Sequence, residues 1–470
     1  MNQTNLKFLF FILFLGQATW AVRPDLKTLP IGLTAQEKMI QSLRSNTTVE
    51  AGTAPREGVI HSLGEWEEAS EVMTLWPNPS YMKALSENGQ VRLLADSPSD
   101  KTWWQNWIVQ QKLTADRFSY FVVPTDSIWV RDYGPWPIVD SDGKFGLVDT
   151  VYNRPRPNDD MVPDFLGQAL NLPVYKIGLV HTGGNYYSDG VGNAFSSTLV
   201  FTENPKLDKK EIDQRMSDFL GIDQYVTSPL SPKITIEHLD TFGKLVAPDT
   251  WVFSEFPKNS KHYADSERMV ALLKTLISPY GTPYKIFRMK MTTIPGKGAE
   301  VYRAYINSFI SNGALYFPIY GDSVDAAATK VYQEALPGYK IVGVDNGNTE
   351  WGDSVHCRSR NLIKPDTTFI FPKVISSTLR AGLPISIIAD VYPETGTQIK
   401  TVDLIWNADA GIEQFLPMER TISNQYSAQI PPQTLGTKVS MHIRVEDTSG
   451  RVKTAPIRAP AMKIEAVVSN

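Results

Sequence analysis

Up to about Phe371 the chain alternates short runs of branched and aromatic residues with stretches whose apolar positions recur at helical spacing. Phe118 to Val123, Phe145 to Tyr152, Ser197 to Thr202 and Ala314 to Tyr320 are predicted strands. Asp208 to Leu220, Tyr263 to Ile277 and Asp322 to Leu336 carry the three- and four-residue apolar spacing of amphipathic helices. Residues 64–77 run from a polar, Trp-bearing turn into a strand stopped by Pro77-Asn78-Pro79. The expected class is α/β. No Gly-x-Gly-x-x-Gly follows a strand, and Gly183-Gly184 and Gly190-x-Gly192 read as loop glycines, not as a phosphate cradle.

After Pro372 the pattern changes to period two. Leu383 to Tyr392, Lys400 to Trp406, Tyr426 to Ile430 and Lys438 to Glu446 alternate, with turns such as Asp447-Thr448-Ser449-Gly450 between them. This predicts an immunoglobulin-like β-sandwich over residues 373–470, without the paired cysteines, behind a larger α/β domain over residues 61–372. At the other end, Lys7 precedes the apolar run Phe8 to Leu15 and small residues follow. That run is too short to span a bilayer and reads as a signal peptide over residues 1–21, with an uncleaved N-terminal anchor as the alternative. Residues 22–60 then form a polar N-terminal arm with one short amphipathic helix, Gln36 to Leu43. The mature protein is expected to be exported, periplasmic or secreted, with no stable membrane insertion.

A length of 470 residues implies two or three domains. The formal charge of -4 and a pI near 6.0 show no basic excess, so nucleic acid is an unexpected partner. Composition matters most at one residue. Cys357 is the only cysteine; it cannot form an internal disulfide, which leaves nucleophilic catalysis or a small buried apolar role. Other stretches carry candidate chemistry: Asp132 sits among aromatics in Trp129 to Trp136, His238-Leu239-Asp240 would face one side if extended, and Asn307 and His356-Cys357 follow. Three readings stay open on these residues alone: a Cys/His/Asp active site, structural polar groups, or half of a metal site, the last short of ligands because the six histidines are scattered. Paired carboxylates near a thiol suit a cationic, planar substrate such as a guanidinium, which a carboxylate on each side can hold.

Glu65-Trp66-Glu67, Trp129-x-Arg131-Asp132-x-Gly134-Pro135, Asn158-Asp159-Asp160, His181-Thr182-Gly183-Gly184-Asn185, Asp189-Gly190, His238-Leu239-Asp240, Tyr305-x-Asn307 and His356-Cys357 resemble, in order, the signatures of the guanidine-modifying superfamily. They are most similar to the branch shared by agmatine deiminases and Porphyromonas-type peptidylarginine deiminases. The resemblance implies a five-bladed pseudo-symmetric α/β propeller, the pentein fold, although no repeat is visible in the sequence. It implies Cys357 as nucleophile, Asp132 and Asp240 as holders of the guanidinium, and His238 as proton donor and then base. It requires no cofactor and no metal. Asn307 is expected among the substrate-binding residues and Trp129 along the substrate's aliphatic stem. Arg154-Pro155-Arg156-Pro157 stands where agmatine deiminases carry Ala-Trp-Gly-Gly, and the peptidylarginine members have a similar Arg-x-Arg. The implied substrate is therefore an arginine-containing peptide or protein whose C-terminal carboxylate Arg154 and Arg156 clamp; agmatine, or a catalytically inactive arginine-peptide-binding role, is the alternative.

Overall fold

The structure, a computed structural model, describes residues 29–44, 51–230, 236–345 and 349–470. The expected signal peptide lies outside the described residues. Strands between Ile60 and Ile363 form five sheets of three or four strands. Each contains an antiparallel pair whose second strand continues, through a helical crossover, into a parallel neighbour. Trp136–Asp140 pairs with Phe145–Tyr152, which runs beside Val174–His181. Tyr187–Ser188, Asn193–Ser197 and Gln224–Ser228 repeat the order, as do Gly243–Ala247, Thr250–Glu255 and Lys285–Lys290. Phe309–Ser311, Ala314–Ile319 and Lys340–Asp345 form the next. The fifth joins distant parts of the chain: Arg360–Ile363 pairs with Ala69–Thr74, which continues to Gln90–Ala95.

Three of the crossover helices form where the apolar spacing predicted them. Asp208 caps Lys209–Leu220 through a reciprocal capping box with Glu211, and Gly221 ends the helix in the left-handed region. Tyr263–Leu273 and Val324–Ala335 are shorter than their sequence patterns. One prediction is wrong in kind. Ser197 to Thr202 is not a strand; the strand ends at Ser197, and Leu199–Glu203 is a helical turn. Ser197 Oγ accepts from Leu199 N, and Asn204 Nδ2 donates to the Val200 carbonyl, so side chains take over the backbone groups a strand would have paired.

Beyond this region two antiparallel sheets, one ordered around Phe369–Val374, Ile385–Tyr392 and Gln425–Ile430 and the other around Ile399–Ala408 and Lys438–Asp447, share an apolar core that includes Ile387, Leu404, Trp406 and Ile443. Phe369–Val374 already belongs to this two-sheet unit and straddles residue 372. Among the described residues no helix is long and apolar enough to cross a membrane.

Candidate active site

Each of the five sheets sends the segment just before the first strand of its antiparallel pair to one place. These segments carry Asp132, Gly184, His238 with Asp240, Asn307, and Cys357. Cys357 has no exposed surface. Its thiol accepts from Asn307 Nδ2 at 3.2 Å and faces Asp240 Oδ2 at 3.7 Å, and its backbone N–H reaches Asn307 Oδ1 at 3.4 Å. The helical turn Val130–Tyr133 that bears Asp132 is tied to the same loop, because Arg131 N donates to the Cys357 carbonyl at 3.2 Å.

His238 and Asp240 do converge, but not along a strand. Thr241 N and Oγ1 both donate to the His238 carbonyl, winding Leu239–Thr241 into a 3-10 turn. Glu237 just before it holds φ of 52°, which costs a non-glycine residue about 1 to 2 kcal/mol. Ser197 Oγ donates to its carbonyl at 2.6 Å and holds the kink in place. Asn185 Oδ1 accepts from both Ser197 N and Leu239 N, so the glycine turn anchors the histidine turn.

Gly184 shows how tightly the groups converge. A methyl carbon on it would sit 2.7 Å from Asp132 Oδ1, 2.7 Å from His238 Nδ1 and 3.1 Å from Asp240 Oδ2. His238 Nδ1 lies 3.7 Å from Asp132 Oδ1. Both oxygens of Asp132, Oδ1 of Asp240 and both ring nitrogens of His238 are buried without a hydrogen-bond partner. Buried polar atoms are normally paired, so this concentration marks a site shaped for a polar ligand. Burial, helped by the Asp240 charge and opposed by Arg154, pushes the Asp132 carboxyl up to about 7. Burial drives His238 down to about 3. It also pushes the Cys357 thiol up, with Asp240, Asp132 and Asp353 adding to it. A cation entering between the carboxylates would favour ionised Asp132 and the Cys357 thiolate, and would hold His238 further towards its neutral form.

Behind the thiol lies a charged layer that sequence reading missed. His356 places Nδ1 2.7 Å from Asp240 Oδ2 and Nε2 3.0 Å from Glu65 Oε2. Glu65 also meets Arg131 Nη2 at 2.7 Å, Lys244 Nζ, and Ile310 N at 2.7 Å. Burial opposes its ionisation, yet Lys244, Arg131 and His356 hold its carboxyl well below the usual range. Glu65, in the polar turn beside Trp66, is the hub of this layer. Its available signal was Lys244, a lone cation among apolar residues in Gly243–Ala247, since a lysine is rarely buried unpaired.

The residues expected to bind substrate each contact another part of the chain. Asn307 contacts Cys357 and Asp240. Trp129 is buried, and its Nε1 donates to the Leu29 carbonyl at 3.1 Å. Arg154 Nε donates to the Ile31 carbonyl. Arg156 is engaged by Glu37, Nε to Oε1 at 2.8 Å, and by the Pro30 and Gly32 carbonyls. The N-terminal arm, not solvent, faces the predicted clamp. Among the described residues no group of three His, Cys, Asp or Glu side chains is arranged to hold a metal ion.

Residues 61–362 match the family of Porphyromonas-type peptidyl-arginine deiminases. A Lactococcus lactis protein named as an agmatine deiminase is 24% identical over 363 residues, which cover 65% of this chain and 96% of that one. The solved agmatine deiminase of Enterococcus faecalis superposes with a TM-score of 0.59 at 22% identity, covering 68% of this chain and 100% of its own. An arginine deiminase structure from Porphyromonas gingivalis gives 0.57 at 22% identity, covering 65% and 99%. At these identities the structures speak for the fold, while the family match spans well over half the sequence and every segment that meets at Cys357. The chain belongs to the Porphyromonas-type peptidyl-arginine deiminase family, within the guanidine-modifying superfamily.

Proposed function

We propose that this chain hydrolyses the guanidinium of a peptidyl arginine to a ureido group, giving citrulline, with release of ammonia. The observation that carries the reading is the set of buried, unpartnered oxygens of Asp132 and Asp240 beside Cys357. They match a planar cation with donors on both edges. The guanidinium neutralises the two carboxylates, and the Cys357 thiol then gives its proton to His238 and attacks the guanidinium carbon. His238 returns that proton to one nitrogen as the carbon–nitrogen bond breaks, so ammonia leaves and a thiouronium remains on Sγ. Water, losing a proton to His238, adds to the same carbon, and the carbon–sulfur bond breaks to restore the thiol. In sum, guanidinium and water become a ureido product and ammonium. The five topological repeats, each sending one segment to the site, support a five-bladed propeller with the site on its axis, and the two-sheet unit supports an immunoglobulin-like domain.

The test is ammonia release from a panel comprising a peptide ending in free arginine, its amide, and agmatine. We expect release from the free-acid peptide, abolished in folded Cys357→Ala. Release from none of the panel would overturn the reading. A second reading, agmatine as substrate, is favoured by the names of the relatives and by the engagement of Arg156 with Glu37; faster turnover of agmatine than of the peptide would establish it.

A further inference from the structure

The residues expected to clamp a substrate carboxylate are already holding a peptide. Four consecutive carbonyls of the arm, those of Leu29, Pro30, Ile31 and Gly32, accept in turn from Trp129 Nε1, Arg156 Nη2, Arg154 Nε and again Arg156 Nη2. These contacts read backbone, so they do not depend on the arm's side chains. Five residues further on, the buried carboxylate of Glu37 lies across the Arg156 fork, Nε to Oε1 at 2.8 Å and Nη2 to Oε2 at 3.4 Å. Gln41 Nε2 adds a bond to the Asn153 carbonyl at 3.0 Å. This surface borders the reacting groups. Arg358, next to Cys357, lies 5.4 Å over the Trp129 ring, and the Arg154 charge is felt by both Asp132 and His238. Arg156 Nη1 is buried without a partner, a donor that the arm leaves unused.

We infer that Trp129, Arg154 and Arg156 form a docking surface for an extended polypeptide bearing a carboxylate, and that the arm, residues 29–41, is its tethered occupant in competition with a substrate chain. This deepens the reading of the substrate as peptidyl arginine and rests on it. The exchange is feasible because one carboxylate replaces another at Arg156, so the buried guanidinium is never left bare. Tethering gives the arm a high effective concentration, and a substrate must displace it before binding.

Glu37 also serves the helix Ala35–Arg44, bonding reciprocally with Thr34, and glutamine can keep that capping box while removing the charge. Full-length Glu37→Gln is therefore the probe, with two measurements. In steady state, KM for a peptide ending in free arginine should fall about tenfold, the factor for an arm docked about nine-tenths of the time. The kcat for that peptide and the KM for agmatine should not change. An unchanged or higher KM for the peptide, or an equal fall for agmatine, would overturn the inference. In the second measurement, a synthetic peptide of residues 29–41, amidated at its C-terminus, should bind the Glu37→Gln chain saturably, and the same peptide carrying Gln at position 37 should not. Binding does not depend on turnover, so a chain that hydrolyses no guanidine but takes up this peptide sinks the proposed function and keeps the docking surface. Equal uptake of the peptide that lacks the carboxylate, or uptake of neither, removes the surface.

Discussion

On the proposed reading, Asp132 is the side chain whose protonation decides whether a cation can enter. Its carboxyl, pushed up to about 7 chiefly by burial, is neutral below that pH and holds a guanidinium only when ionised. The sign follows directly: kcat/KM should rise as pH passes upward through about 7. In Asp132→Asn this limb should vanish and kcat/KM should fall by the equivalent of about 2 to 5 kcal/mol, the range for truncating one partner of a buried charge pair. A profile that stays flat from pH 6 to 8 in the unaltered chain would sink this role. At this scale the sequence was informative for Cys357, His238, Asp132 and Asp240, because few other residue types explain a lone thiol with imidazole and paired acids, and because the ordered motifs resemble one superfamily. It named Glu65 only within a signature and did not single out Lys244; the two lie 179 residues apart and acquire meaning only as a pair. Arg156, expected to hold a substrate carboxylate, holds that of Glu37, which comes from the arm and which local pattern could not place.

The element that fixes the site's dimensions is the turn Gly183–Asn185. A methyl on Gly183 would lie 2.1 Å from the Arg131 carbonyl, while one on Gly184 would project among Asp132, His238 and Asp240. Neither glycine has a positive φ, so the requirement is close approach, not backbone freedom. Gly184→Ala should therefore leave the fold's hydrogen bonds in place and occupy the space where a guanidinium would bind. The expected loss in kcat/KM is about 100-fold, on the order set by displacing a reacting group by 1 Å. Activity within a few-fold of the unaltered chain would show that the convergence of these three side chains is not the binding site. Most of the elements predicted from helical spacing and branched runs are present, since both periods are local properties. The fivefold repeat was invisible for a physical reason: it is a repeat of topology, carried by strands as short as Tyr187–Ser188 and as long as Phe145–Tyr152, with crossovers of unlike length. His238 and Asp240 converge through a turn and not along an extended strand, since Thr241 can close a 3-10 turn on the His238 carbonyl as easily as a strand can continue.

Across the whole molecule the two-sheet unit supplies none of the side chains that meet at Cys357, yet it is built into the same cores. Phe371, on its first strand, stacks on His61 with ring centroids 4.0 Å apart and planes at 5°, and Tyr392 packs against both rings. Phe369, Phe371 and Tyr392 belong to the apolar cluster that includes Leu147 and Phe145, and Met462 joins the cluster around Trp251. In exchange, Tyr280 sits in the core between the two sheets. Polar ties follow the same seam: Lys453 with Glu68, Asn424 Nδ2 to the Ser141 carbonyl at 2.9 Å, and Arg458 Nη2 to the Asn312 carbonyl at 3.0 Å. Domains joined by a thin polar contact unfold separately, whereas a seam with apolar side chains crossing in both directions couples them. A chain ending near residue 375 would keep every residue of the site but lose Tyr392 and Met462 from the catalytic region's cores, so it should be poorly folded and not a minimal enzyme. The sharper measurement keeps the full chain. Its calorimetric unfolding should show one transition, and Phe371→Ala, at a cost of about 3 to 5 kcal/mol for a buried phenylalanine, should move that transition down without dividing it. Two resolved transitions in the unaltered chain, with Phe371→Ala shifting only one, would mean that the two-sheet unit is an appendage and that the seam carries no folding energy.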